Sequence, residues 1–90
     1  MRTGEDNWGP WAVGITPMER LARLRSLRTI AVCMFGVFCP VVKPLMLAES
    51  LEEADVTAAL AALNALPSRD RRKITSSYGA VNLRPNRTAA

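Results

Sequence analysis

From Thr29 to Ala48 the chain runs for twenty residues with a single charge, Lys43. No other feature limits the fold so strongly. A helix that is apolar on every side must be covered by protein or by lipid, and twenty residues is the length that spans a bilayer core. The run is interrupted by Gly36, Pro40 and Pro44. Pro40 has no amide to continue a helix and disfavours helical geometry at Cys39, so a helix entering the run should end at about residue 39. Prolines are better tolerated in membrane helices than in water. Lys43 stands fifteenth in the run, close enough to its end to snorkel.

The elements on either side can be read from their caps. In Thr16-Pro17-Met18-Glu19 the threonine hydroxyl suits an N-cap, proline suits the first helical position, and Glu19 can reach back to close a capping box. This predicts a helix over 17–39. Its first half alternates Leu21, Leu24 and Leu27 with Arg20, Arg23, Arg25 and Arg28, and a strict spacing of three drifts around a helix without forming a clean apolar stripe. Ser50-Leu51-Glu52-Glu53 reads as a second capping box, opening a helix over 50–66 that Pro67 stops. Val56, Leu60, Leu63 and Leu66 fall on one arc with Ala59 between them. Ala58, Ala61, Ala62 and Ala65 line the other side, where a neighbouring helix could approach closely.

The fold class expected is mainly α. Two helices, about 17–39 and 50–66, are joined by a Pro-containing segment and form one helical region, 17–66. An irregular N-terminal arm, 1–16, carries Trp8 and Trp11 among Gly4, Gly9, Pro10 and Gly14. A basic, flexible C-terminal tail, 67–90, begins with Arg69-Asp70-Arg71-Arg72-Lys73 and is punctuated by Tyr78-Gly79 and Arg84-Pro85. Ninety residues allow one domain at most, and so short a chain is marginal in stability without a partner, a membrane or a staple.

The inventory of chemical groups points away from catalysis. The chain has no histidine, which removes the commonest general base and the Ser–His and Cys–His nucleophile pairs. Two cysteines cannot close a four-ligand zinc site, and the five glycines are scattered rather than grouped in a phosphate loop. Cys33 and Cys39 read as small buried hydrophobes. On a helix, six residues apart, they would lie on nearly opposite faces and about 9 Å apart along the axis, too far for a disulfide. Glu52, Glu53 and Asp55 are explained by helix capping. No catalytic, cofactor-binding or metal-binding residue is assigned, and no cofactor is expected. Arg72-Lys73-Ile74-Thr75 has the pattern of a basophilic kinase site, which is common by chance, and Asn86-Arg87-Thr88 that of a glycosylation sequon, meaningful only in a lumenal tail.

The net charge of +4 is segregated. Basic blocks at 20–28 and 69–73 flank the acidic group Glu49, Glu52, Glu53 and Asp55, which suits anionic partners at the two blocks. Glu5 and Asp6, together with Met46 at the −3 position of a cleavage after Ala48, argue against a secretory leader. Three readings follow. The first is a small non-enzymatic, membrane-associated interaction or accessory protein. In it 29–48 form a transmembrane segment, and the arginine-rich flank is placed in the cytoplasm by the positive-inside rule. The second is a cytoplasmic helical hairpin whose 29–48 surface is covered by a partner protein or by self-association, so that it is not a lone soluble monomer. Ranked below both is an accessory protein contacting nucleic acid through its basic segments, since no nucleic-acid-binding fold signature accompanies them.

Overall fold

The computed structural model describes residues 8–82. In chain order these form α1 (Pro17–Phe35), α2 (Val42–Leu47), α3 (Glu53–Asn64) and α4 (Ser68–Asn82), with 3-10 turns at Gly9–Trp11 and Ala48–Ser50. The fold is mainly helical, with no strand among the described residues. The described residues form four α-helices where the sequence suggested two.

The start of α1 follows its cap. Thr16 Oγ1 accepts the Glu19 amide at 3.0 Å, and Pro17 is the first helical residue. The Glu19 carboxylate turns to Arg23 Nε at 2.9 Å. The helix ends at Phe35, not at 39. Gly36 adopts φ 90 and ψ 169, a backbone region open almost only to glycine, so the helix is already broken before Pro40 acts. Leu24, Leu27 and Ala31 are fully buried and form an inward stripe at spacings of three and four. Leu21 is only partly buried, so the leucines spaced by three form no clean stripe, as their spacing suggested, and the inward line passes instead through Leu24, Leu27 and Ala31.

Pro44, which looked like an interruption, lies in the first turn of α2. The amides there have no intrahelical acceptor, so a proline costs nothing. Val42 and Leu45 point inward, and Lys43 is exposed. The second capping box does not form as expected. Ser50 belongs to the preceding 3-10 turn, and its hydroxyl accepts the Glu52 amide at 3.1 Å and donates to Asp55 Oδ2 at 2.9 Å. Leu51 takes a left-handed conformation at φ 65, so helical geometry resumes only at Glu53. Val56, Ala59, Leu60 and Leu63 are buried on the expected arc. Of the alanine face only Ala62 packs against the core; Ala58, Ala61 and Ala65 are exposed.

The largest correction concerns 67–90. Residues 68–82 are α4, not a flexible tail. Ile74 and Tyr78, one turn apart, are buried and hold α4 in the core cluster. Residues 83–90, with the sequon, lie outside the described residues, as do 1–7 of the arm. The rest of the arm is not loose. Trp11 is fully buried, and its indole Nε1 donates to Val56 O at 2.9 Å. Trp8 packs edge-on against Trp11 and Tyr78, with ring centroids at 5.2 and 5.6 Å. Helix α1 packs on α2, on α4 and on the Gly9–Trp11 turn, while α2 packs on α3.

Candidate functional site

The apolar run 29–48 divides in two. Ala31, Val41, Val42, Leu45 and Ala48 enter the core. Cys33, Met34, Val37 and Phe38 stay outside, and Phe38 is 96% exposed. Among the described residues no helix is long and apolar enough to cross a membrane. Gly36 and the turn after it cut the run, and five of its side chains are buried in the protein's own core, with Ile30, Val32, Phe35 and Cys39 packed against it. A transmembrane segment over 29–48 is therefore unsupported.

Phe38 is presented by a short, well-bonded turn. The Gly36 amide donates to Val32 O at 2.8 Å, Cys39 to Gly36 O at 3.2 Å, and Val42 to Cys39 O at 3.0 Å. With both flanks tied down, Val37 and Phe38 project from the end of α1 as an apolar edge. Two open grooves flank this end of α1, the first bordered by Phe38 and the second by Met34. One, of about 350 Å³, is lined by Phe35, Phe38, Cys39, Pro40, Leu66, Pro67 and Asp70. The other, of about 390 Å³, sets Met34 against Arg69, Arg72, Lys73, Ser76 and Ser77 of α4. Ser77 Oγ lies 3.6 Å from Met34 Sδ across the second groove.

The two basic blocks have different fates. Arg20 Nη1 donates to Pro10 O at 2.6 Å and Arg23 Nη1 to Gly9 O at 3.1 Å, clamping the arm. Arg28 Nη1 and Arg25 Nε lie 2.7 and 3.3 Å from the carboxylate of Glu49, tying α1 to the 3-10 turn that follows α2. The 20–28 block, which the sequence suggested would meet an anionic partner, is thus largely used inside the protein. In the second block Arg71 donates to Asn64 O at 3.2 Å. Arg69, Arg72 and Lys73 are exposed, and their charged groups hold no partner among the described residues. Spaced by three and four with Ser76 and Ser77, they form one outward stripe on α4.

The remaining sequence motifs come to little. Thr75 is half-buried within α4, its hydroxyl bonded to Arg72 O at 3.1 Å, and Ile74 beside it is fully buried. A kinase needs an extended segment, which this is not. Cys33 and Cys39 are both unbridged, and Cys33 is exposed rather than buried. Among the described residues no three of His, Cys, Asp or Glu converge on a metal-sized site. The sequence showed that 29–48 lacked cover, but not which side chains would stay outside. The i, i+3, i+4, i+7 pattern of 69, 72, 73 and 76 was the available signal for the stripe. No family model matches the chain, and comparison with curated proteins and with solved structures gives no match either.

Proposed function

We propose that this chain is a small non-enzymatic accessory protein that docks peripherally on another surface through the edge Met34–Val37–Phe38. The observation that carries this reading is Phe38, 96% exposed at the tip of a turn whose neighbours are hydrogen-bonded in place. Fully burying a side chain of this kind is worth about 1.5–3 kcal/mol. A turn that presents it outward while the protein's own core remains well filled favours an external occupant. The docking is peripheral because Ala31, Val41, Val42, Leu45 and Ala48 of the apolar run are buried in the protein's own core.

The test is fractionation of the tagged protein, wild type and Phe38→Ser, into soluble, peripheral and integral pools. Wild type should be found largely in the peripheral pool, with the variant displaced to the soluble one at unchanged helicity. A wild type that is wholly soluble, wholly integral, or partitioned identically to the variant would overturn the reading.

A further inference from the structure

We infer that the surface on which this edge docks is an anionic lipid bilayer, with Phe38 and Val37 entering the interface and Arg69, Arg72 and Lys73 resting on the headgroups. The inference deepens the docking reading above and rests on it. The argument is one of charge and placement. The described arginines of α1 are occupied by arm carbonyls and by Glu49. The cations on the outer face of α4 are exposed, and they lie across a groove from Met34, four residues before Phe38 in the chain and on the far side of the Gly36 break. Apolar insertion beside a cationic stripe is what interfacial binding to anionic lipid requires, since neither term alone holds a protein firmly at a bilayer. Ser76 and Ser77 add hydroxyl groups in the same groove, suited to headgroup oxygens. Asp70 lines the groove that Phe38 itself borders; it stands in the first turn of α4, where its charge complements the helix dipole. A nucleic acid would use the cations and leave Phe38 without a purpose.

The experiment is flotation of the full chain with vesicles of phosphatidylcholine alone, and of phosphatidylcholine in which phosphatidylserine makes up a quarter of the lipid. Wild type should float with the second and stay behind with the first, and salt should release it. Arg72→Glu with Lys73→Glu should weaken the partition roughly tenfold or more. Phe38→Ser should weaken it as well, with both variants retaining wild-type circular dichroism. Equal flotation with both vesicles, none with either, or variants that float like wild type would overturn the lipid assignment. So would tight binding of a short DNA duplex that ignores Phe38→Ser. If flotation fails while the peripheral pool in cells still depends on Phe38, only the lipid assignment falls. If that dependence is also absent, the docking reading falls with it.

Discussion

Gly36 and Gly9 hold positive φ for different reasons. At Gly36 an added Cβ would meet nothing within 4 Å, so its constraint is purely torsional, at φ +90. Gly36→Ala should cost about 1–3 kcal/mol, measured by urea unfolding, and should re-aim Val37 and Phe38. At Gly9, φ +51, an added Cβ would also come within 3.2 Å of the Tyr78 ring, so strain and crowding combine. Tyr78 itself offers a titration. Burial raises its hydroxyl above the ordinary 10.0, Arg23 nearby opposes the shift, and Glu19 adds to it. The folded protein therefore keeps a proton that the unfolded chain loses. Its stabilising effect is whole below pH 10 and disappears as pH climbs through the raised native value. Because the chain has one tyrosine, the ultraviolet absorbance of tyrosinate should titrate above 10.0 in the native protein. In Tyr78→Phe the alkaline fall in unfolding midpoint should flatten.

Among the elements, α4 depends most on few contacts. Ile74 is fully buried and Tyr78 nearly so, while most of the helix's outer face is polar. Ile74→Ala should cost about 2–5 kcal/mol, and α4 should lose amide protection in hydrogen exchange before α1 and α3 do. This is also why α4 was hidden in the sequence. Only two large apolar residues, one turn apart and followed by Gly79, mark the buried face; the helical period lay in the polar positions 69, 72, 73 and 76, and a basic cluster opening a polar segment reads equally well as a solvated tail. The start of α1 was legible because Thr16 and Pro17 act locally. The buried arc of α3 was legible because its period is regular. The end of α1 was not, because a glycine inside an apolar run reads equally well as a small packing residue. Nor was α2, since Pro44 is harmless only once Val42 is known to start the helix. The candidate edge was legible as twenty residues wanting cover. How they divide between core and surface depends on tertiary packing.

At the scale of the whole molecule, stability and attachment are separable. Phe38 touches little of its own fold, so Phe38→Ser should change unfolding free energy by no more than about 0.5 kcal/mol. Trp11→Ala is the opposite case. It removes a fully buried indole and its bond to Val56 O, at a cost of about 3–5 kcal/mol. That is a large share of the total for a domain whose stability lies near the lower end of about 5–15 kcal/mol. Thermal unfolding followed by circular dichroism should show the second variant melting far below wild type and the first melting with it.

The clasp around Trp11 also bears on how quickly the chain can reach its native form. An indole at position 11 bonded to a carbonyl 45 residues away, and a second indole against the ring of Tyr78, are distant closures for a protein made of helices. Helical proteins rich in local contacts assemble fastest, and distant closures slow the search because loop entropy is lost before any contact is gained. Both tryptophans of the chain sit in this closure, so their intrinsic fluorescence should mature in stopped-flow refolding later than the far-ultraviolet helical signal.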